Sequence, residues 1–403
     1  MPSKNISRRK FIRQSALATA GAAFIPSFLK AFDRVGGLAP GQKRLVIIQL
    51  GGGNDGLNTV VPFGDDLYYK ARPQIGISTS EVIRLNHHQG IHPALEPLRA
   101  LYDQGDVAIL NAVGYPNPNR SHFRSMDIWN SGSASNEYLQ TGWIGRYLDA
   151  HCADDPRPTA AIQVSDQLGL AMKGKERTGL AVSDPQRFYK TAAAPRFKAL
   201  AEHAPEDHGH SEVGYLYKTL AESISSAEYI FEKTKVQQAS GDYPQGPLAR
   251  QLRNTARMIK SGLDTRIFYT NAGGFDTHVN QPAQHQRLLG GYAGAVAAFA
   301  KDLKASGHWK DTVVMTFSEF GRRVKENASR GTDHGTANNL FLMGGSLKQA
   351  GLCNAAPKLD DLDKGDLKYQ VDFRQVYAEV LQKWLQVDPQ PIMGTSFAPL
   401  GIL

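Results

Sequence analysis

Cysteine is scarce in this sequence, and its scarcity excludes several classes of protein. Only Cys152 and Cys353 occur among the 403 residues, and neither lies in a C-x-x-C pattern. A disulfide framework and a cysteine-based zinc site both need several cysteines at short spacings, so both are excluded. An exported protein could pair the two cysteines, but two distant residues cannot be matched from sequence, so that bridge stays open.

Long hydrophobic runs and basic clusters are also missing. Beyond the N-terminus no stretch approaches the roughly 20 apolar residues that cross a bilayer. The net charge is +8, but lysine and arginine are scattered, without runs or interleaved aromatic residues. This pattern argues against a nucleic-acid partner. The chain has no internal repeat, and with 41% hydrophobic and 21% charged residues its composition is that of an ordinary globular protein.

The first 32 residues are predicted to be a targeting segment. Arg8 and Arg9 precede an apolar run from Ala16 to Phe28, which is about 13 residues and too short to span a bilayer. This resembles a twin-arginine export signal, with an ordinary basic arm as the alternative. We therefore expect the twin-arginine export machinery as a partner and a periplasmic or extracellular location. Residues 33–43 are predicted to be a linker, and residues 44–403 a single α/β domain with a helical and loop insertion at about 130–260.

Three short apolar segments each run into a turn of small residues that presents an acid. Residues 45–50, 266–270 and 313–317 are rich in β-branched and aromatic side chains, which favours buried strands. In open α/β sheets the functional crevice lies beyond the carboxyl ends of the strands. If these strands are parallel neighbours, we expect five side chains to converge there: Asp55, Asp276, His278, Glu319 and His334.

Carboxylates and imidazoles in this pattern indicate a metal site or an acid/base site. Asp276 and His278 are two residues apart, so in extended chain they point to the same side. Carboxylate oxygen and imidazole nitrogen are usual ligands for zinc-like and manganese-like ions. The alternative for the stretch from 312 to 337 is a surface loop with a helix-capping aspartate.

Ser121 is a second candidate for chemistry. It follows a proline-containing loop at 114–120, with Arg120 and His122 beside it. A serine near a helix N-terminus lies where free backbone N–H groups favour an anion, so Ser121 is a candidate nucleophile or phosphate contact. The alternative is an N-cap serine.

The remaining periodicity gives a coarse secondary structure. Helices are predicted at 94–104, 215–239, 248–260, 288–305 and 372–385, and further strands at 107–113 and 340–345. The polar stretch 185–212 is predicted to be a solvated loop. Its histidines, His203, His208 and His210, are therefore assigned to solvent rather than to a metal.

The assembled motifs resemble a known group of proteins. An export signal, LVIIQLGGGNDGLNTVVPF, NPNRSHF, GGFDTH, TFSEFGRR and GTDHGTANNLF occur in the order typical of the bacterial domain-of-unknown-function family 1501. That family looks like a branch of the alkaline phosphatase and sulfatase superfamily. The resemblance implies an alkaline-phosphatase-like α/β fold with a largely parallel β-sheet and helices on both faces. It also implies a two-metal site at the strand ends and in-line attack on phosphorus or sulfur.

The resemblance also implies roles for individual residues. Asp55 matches the acid that ligates one metal, Asp276 and His278 resemble the acid–histidine pair for the other, and His334 resembles the last histidine ligand. Glu319 falls where the superfamily has an adjacent Asp-His pair, so one histidine ligand is absent. Three alternatives stay open: this branch uses one ion, binds two ions differently, or is degenerate. Neither cysteine lies in the C-x-P-x-R setting of a formylglycine sulfatase.

The sequence thus predicts an exported, metal-dependent hydrolase of phosphate or sulfate esters. Two cations about 3.5–4 Å apart would clamp the reacting oxygens, and Ser121 would attack an anionic ester substrate. Arg120, Arg322 or Arg323 would hold non-bridging oxygens. Asp333 is a further ligand candidate or orients His334.

The expected cofactor is a divalent metal, zinc or manganese before calcium or magnesium. Two other functions remain open: a catalytically degenerate member of the superfamily that binds anionic glycans or a cell-envelope partner, and an exported structural partner of a cell-surface system.

Overall fold

The computed structural model describes residues 41–152, 158–202, 212–237 and 241–403. The predicted export signal and the three histidines at 203, 208 and 210 lie outside the described residues. The strands are β1 Arg44–Leu50, β2 Val60–Val61, β3 Ile83–Arg84, β4 Gly90–Ile91, β5 Val107–Gly114, β6 Ala161–Gln163, β7 Leu180–Ala181, β8 Ile267–Ala272, β9 Thr312–Phe317, β10 Asn338–Gly344, β11 Gly351–Leu352, β12 Leu362–Asp363, β13 Asp366–Leu367 and β14 Val371–Asp372.

Helices cover much of the remaining described chain. The α-helices are α1 Asp66–Ala71, α2 Arg99–Asp103, α3 His122–Ser131, α4 Trp143–His151, α5 Pro185–Ala192, α6 Pro195–Glu202, α7 Glu212–Thr234, α8 Pro247–Lys260, α9 Gln281–Ala305, α10 Phe373–Glu379 and α11 Gln390–Met393. Short 3₁₀ turns lie at Gly56–Asn58, Pro93–Leu98, Pro158–Ala160, Leu170–Met172 and Trp309–Asp311, and a π-helical turn at Val380–Trp384 follows α10.

A mostly parallel sheet organises the molecule. Its strand order is β11-β5-β10-β9-β1-β8-β6-β7, with β14 also paired to β5. β1 pairs in parallel with both β8 and β9, so the prediction that these three strands are parallel neighbours is confirmed. β10 is antiparallel to both β5 and β9. The small sheets β2-β4-β3 and β12-β13 lie apart from the main one.

The main sheet is buried on both faces. Val46 and Ile48 of β1 belong to one hydrophobic cluster and Leu45 and Ile47 to the other, and all four side chains are fully buried. Successive side chains of a strand point to opposite faces, so a strand covered on both sides needs a continuous apolar run. Burying each such side chain stabilises the fold by roughly 1.5–3 kcal/mol.

Helices supply the opposing layers. On one face α8 and α9 contribute Leu252 and Phe299, and on the other α4 and α10 contribute Ile144 and Phe373. The predicted fold class, an α/β sheet that is largely parallel and flanked by helices on both faces, is confirmed.

Two predicted elements differ from the structure. The segment predicted as a solvated loop contains α5 and α6, and α5 begins because the Asp184 carboxylate accepts a hydrogen bond from the Arg187 N–H at 2.8 Å. α9 begins at Gln281, seven residues before the predicted start. Its first turns are polar, and apolar periodicity does not reveal such turns.

In the described part of the chain, no helix combines the length and the apolar character needed to cross a bilayer.

A buried glutamate at the end of α10 anchors the last four residues. Glu379 is fully buried, and its two carboxylate oxygens accept hydrogen bonds from the N–H groups of residues 400–403 at 2.9–3.2 Å. In Glu379→Gln an amide NH₂ faces two of these donors. We expect a loss of about 3 kcal/mol in the free energy of unfolding, measured by urea titration. The exposed control Glu81→Gln should change it by less than ~0.5 kcal/mol, and equal effects in the two variants would refute the anchoring role.

Candidate metal centre

The carboxyl ends of β1, β8 and β9 meet at one edge of the sheet and carry most of the predicted site. The loop after β9 doubles back on the segment before β10. Gly321 N–H donates to the Thr336 carbonyl at 2.7 Å, Gly335 N–H donates to the Gly321 carbonyl at 2.8 Å, and Arg322 forms a bridge with His334. This local pairing brings His334 back to the end of β9.

The glycine turn after β1 packs directly against the turn after β8. Gly52 has a φ of +118°, and a Cβ atom there would lie 2.5 Å from the Asp276 nitrogen. A side chain is excluded by both the backbone angle and the close approach. The turn consequently places the Gly52 N–H against the Glu319 carboxylate, at 2.9 Å from Oε1.

Asp276 is the centre of a cluster of histidines. Its Oδ1 lies 2.9 Å from His278 Nε2, 3.1 Å from His334 Nε2 and 2.7 Å from Arg322 Nη2. Its Oδ2 lies 3.5 Å from His122 Nε2. The side chains of Asp276 and the three histidines are 24–47% exposed, so the cluster is open to solvent.

The other ring nitrogen of each histidine faces a hydrogen-bond acceptor. His122 Nδ1 lies 2.8 Å from Glu319 Oε1, His334 Nδ1 lies 2.8 Å from the Arg120 carbonyl, and His278 Nδ1 lies 3.5 Å from Asp333 Oδ1. Tautomers are assigned from such partners. His122 Nδ1 and His334 Nδ1 are therefore the N–H donors of their rings, which leaves a lone pair on each of their Nε2 atoms. The shorter contact of His278 instead joins its Nε2 to Asp276 Oδ1 at 2.9 Å.

Three Nε2 atoms and a carboxylate thus face one small space. His278 Nε2 and His334 Nε2 are 3.0 Å apart, and His278 Nε2 also lies 3.5 Å from Arg322 Nη1. His122 Nε2 is buried without any hydrogen-bond partner. Lone pairs at these distances repel one another unless a proton or a cation lies between them. The arrangement suits a cation, and histidines held by an acceptor at Nδ1 are typical of metal ligands.

The donor set fits a zinc-like ion. Ligand atoms of His122, Asp276 and His334 all lie within 4.8 Å of one another, and His278 contributes a further Nε2 beside them. Imidazole nitrogens with one carboxylate oxygen are a common ligand set for zinc and are accepted by manganese. The sequence predicts His122 only as a neighbour of Ser121, whereas the structure makes it a ligand candidate. Its position in the NPNRSHF motif was the one feature of the sequence that could have indicated this.

Charges around the cluster keep Asp276 ionised. Partial burial raises the pKa of its carboxyl group, but the Arg322 guanidinium, with the His334 ring beside it, outweighs burial and lowers the pKa to about 2. The hydrogen bond to Glu319 raises the pKa of His122 above its usual value, against the opposing effect of burial.

Glu319 and Asp333 stand behind the histidines rather than beside the Nε2 atoms. Glu319 is 1% exposed and accepts hydrogen bonds from both His122 and the Gly52 N–H. It therefore orients the His122 ring, whereas the sequence predicts that Glu319 itself is a metal ligand. Asp333 faces His278, whereas the sequence suggests that it orients His334. The Arg120 carbonyl has that role instead.

Asp55 and Arg322 are each committed to partners in the protein interior. Asp55 is 1% exposed. Its Oδ2 lies 2.6 Å from Arg72 Nη1, whereas its Oδ1 is buried without a hydrogen-bond partner. Burial raises its pKa, but Arg72 more than offsets this and the pKa is lowered overall. The Arg322 guanidinium is fully buried, so the prediction that it contacts a substrate does not match its position.

Ser121 and Arg120 lie at the exposed edge of the cluster. Ser121 precedes α3, and its side chain makes no capping hydrogen bond, so the N-cap alternative lacks its defining contact. The Arg120 side chain is 43% exposed, and its Nη1 lies 3.3 Å from Asp366 Oδ2. Arg323 reaches the other oxygen of Asp366 at 3.2 Å, so one carboxylate holds two arginines.

The sequence matches the model of a known protein family. The model of the family described as "Protein of unknown function (DUF1501)" matches residues 108–396. The chain belongs to this family. The match begins within β5, so the histidine cluster, Glu319 and Ser121 lie inside it, whereas Asp55 lies before it. The family resemblance seen in the sequence is confirmed.

Three solved structures are similar to this chain. The C-terminal periplasmic domain of EcEptC from Escherichia coli, in complex with Zn, is 10% identical, with 76% of this chain and 74% of that chain covered and a TM-score of 0.36. A protein in the alkaline phosphatase superfamily from Vibrio parahaemolyticus is 10% identical, with 93% and 78% covered and a TM-score of 0.40.

The lipoteichoic acid synthase LtaP from Listeria monocytogenes is 10% identical, with 93% of this chain and 81% of that chain covered and a TM-score of 0.39. No curated protein matches the sequence.

Two buried histidines beside the site predict acid sensitivity. Burial lowers the pKa of His285 to about 3 and that of His92 to about 4. In the unfolded chain both take up protons near pH 6.5. Stability therefore falls as pH drops from 7 towards 4, because the unfolded state then binds more protons.

Replacing His285 with glutamine tests this effect. Glutamine can still donate to Asn54 Oδ1, which lies 2.9 Å from His285 Nε2. We expect the difference in unfolding free energy between the wild type and His285→Gln to shift by about 2 kcal/mol in favour of the variant between pH 7 and pH 5. Urea titrations at both pH values measure the shift. The exposed control His87→Gln should show none, and a constant difference for His285→Gln would contradict the prediction.

Proposed function

We propose that the protein is an exported, metal-dependent hydrolase of phosphate or sulfate esters. One observation carries the proposal: three histidines, each with Nδ1 directed at an acceptor, turn Nε2 towards the Asp276 carboxylate. His122, Asp276, His278 and His334 are the residues that would hold the ion. A divalent ion bound there would polarise an ester oxygen and lower the pKa of an attacking hydroxyl group.

Ser121 is the proposed nucleophile. It lies between two residues tied to the cluster, because the Arg120 carbonyl holds His334 and His122 is itself a ligand candidate. Its Oγ would attack phosphorus or sulfur, forming one O–P or O–S bond. The ester alcohol would leave with the electron pair of the broken bond and take up a proton. Water would then hydrolyse the serine ester and restore the hydroxyl group.

Arg120 and Arg323 are the proposed anion-binding residues. Both side chains remain partly exposed, at 43% and 35%, and both are held by Asp366. Arginine suits the planar, two-point recognition of phosphate and sulfate oxygens. Arg322, whose N–H groups are all directed at the protein, is excluded from this role.

The test is metal-dependent turnover. Protein purified without tags, stripped with chelator and reloaded with Zn²⁺ or Mn²⁺ is assayed on an aryl phosphate and an aryl sulfate, with metal content measured by elemental analysis. We expect turnover of at least one ester only in the loaded protein. Ser121→Ala should lose at least ~100-fold in kcat/KM at unchanged metal content, while the exposed control Ser80→Ala keeps full activity. An absence of bound metal after reloading would refute the proposal.

A second candidate function is anionic-glycan binding without turnover. Phe123 and Tyr138, on and beside α3, are 87% and 74% exposed. Phe123 directly follows the ligand candidate His122, and the Tyr138 ring stacks on the Arg124 guanidinium at 3.7 Å. Both rings therefore offer apolar surface near the start of α3. Calorimetric binding of a sulfated oligosaccharide to metal-loaded protein that cleaves no ester would favour this function. Loss of that binding in Phe123→Ala would place it at the cluster.

Export is part of the proposal and rests on the sequence of residues 1–32. Cell fractionation of the wild type and of a variant with Arg8 and Arg9 both changed to lysine tests it. We expect the wild type outside the cytoplasm and the variant retained within it. Equal distribution of the two would refute twin-arginine export.

A further inference from the structure

Arg322 is a cation built into the metal cluster. Its side chain is fully buried, and every N–H group is directed at an acceptor. Nε donates to the Gly53 carbonyl at 2.6 Å. Nη1 donates to the Thr332 carbonyl at 2.9 Å and lies 3.5 Å from His278 Nε2. Nη2 is shared among the Gly52 carbonyl, the Phe275 carbonyl at 3.0 Å and Asp276 Oδ1 at 2.7 Å.

The surroundings of this guanidinium resemble those of a metal ion. Four backbone carbonyls and one carboxylate oxygen converge on it, and all five are hard oxygen atoms of the kind that divalent cations take as ligands. Three separate turns supply them, after β1, after β8 and before β10, so the oxygens are held independently of Arg322. A guanidinium with this many partners stays charged and does not exchange.

Asp276 joins this guanidinium to the histidines. Its Oδ1 contacts Arg322 on one side and the Nε2 atoms of His278 and His334 on the other. A carboxylate that bridges two cations is the arrangement expected of a paired metal site. Here one of the two cationic positions already contains an arginine.

The acids that follow β1 and β9 contact partners other than the three Nε2 atoms. Asp55 is paired with Arg72, and Glu319 is used by His122 and Gly52. Among the described residues around the cluster, the three histidine Nε2 atoms and Asp276 suffice for a single four-coordinate ion.

We infer that Arg322 occupies the second cation position of the cluster and limits it to one divalent ion. This inference rests on the proposed metal-dependent function and deepens it. The Arg322 charge beside Asp276 also repels any ion that approaches the far side of the carboxylate. The site therefore takes one exchangeable ion and keeps one permanent cation.

Ion counting tests the inference without any assay of activity. The purified full-length protein is dialysed to equilibrium against Mn²⁺, and bound manganese per chain is measured by elemental analysis. We expect one ion in the wild type and two in Arg322→Ala, because the substitution vacates the five oxygens. Arg322→Lys keeps a charge in the same position and should bind one ion. The exposed control Arg250→Ala should also bind one.

Each result decides the matter. Two ions in the wild type would overturn the inference and leave the metal-dependent hydrolase standing, whereas no ion would overturn both. If Arg322→Ala folds and binds one ion, Arg322 does not set the count and the inference fails. If that variant does not fold, the counts for the wild type and Arg322→Lys decide: one ion in each supports the inference, and two in either overturns it.

Discussion

Replacing Asp276 with alanine is expected to empty the metal site and to abolish measurable ester hydrolysis. Within the described part of the chain, Asp276 is the one side chain that lies beside all three Nε2 atoms. Its loss therefore leaves the imidazoles without a described carboxylate directed at the same space. Loss of an outer partner alone costs 10–100-fold in metal affinity, so we expect more than ~100-fold for this residue. Elemental analysis and calorimetric titration with Zn²⁺ measure the change.

The Asp276→Ala variant should still fold. Arg322 keeps its backbone acceptors, the carbonyls of Gly52, Gly53, Phe275 and Thr332. The matched control, Asp360→Ala, removes an exposed carboxylate and should retain full metal content. Unchanged zinc affinity in a folded Asp276→Ala protein would show that the ion does not bind at this cluster.

Glu319→Gln should give an intermediate result. Its Oε1 could still accept the hydrogen bond from His122 Nδ1, but the negative charge that strengthens this bond is lost. We expect about a 10-fold loss in metal affinity, in the range typical of partners that orient a ligand. A loss as large as that of Asp276→Ala would indicate that Glu319 ligates the ion directly.

Replacing Arg72 with methionine is expected to destabilise the protein by about 3–5 kcal/mol, the cost of breaking a buried ion pair. The Arg72 side chain is fully buried and donates to Asp55, Asn58 and the carbonyls of Arg323 and Val324. The variant leaves the Asp55 charge in the interior, with the Gln281 amide as its remaining donor. Urea unfolding measures the loss, and the exposed control Arg250→Met should change stability by less than ~0.5 kcal/mol.

A double mutant separates the charge from the packing. In Arg72→Met combined with Asp55→Asn no uncompensated carboxylate remains, so we expect it to recover at least ~1 kcal/mol relative to Arg72→Met alone. If the double mutant is less stable than the single mutant, the buried charge is not the source of the loss. The result would also bear on Asp55, which the sequence predicts as a metal ligand and which lies paired with Arg72 instead.

The sequence by itself determined the framework of the site. Apolar runs followed by small residues and an acid predicted β1, β8 and β9, because such runs are buried strands and glycine permits the tight turns that follow. The carboxyl ends of adjacent parallel strands meet at one edge, so Asp276, His278 and His334 were expected to lie together. In the structure these three side chains are within hydrogen-bond distance of one another.

Only the tertiary structure decided which acids remain free to bind an ion. Asp55, Asp276 and Glu319 follow their strands in similar ways, yet Arg72 pairs with the first, Arg322 contacts the second, and His122 and Gly52 bind the third. Each choice depends on a long side chain, or on a turn, that reaches across segments distant in sequence. Local sequence patterns do not contain that information. They also do not predict His122 as part of the cluster, since only the packing of α3 places it opposite Asp276. Burial stabilises these pairings, because an unpaired charge in the protein interior costs several kcal/mol.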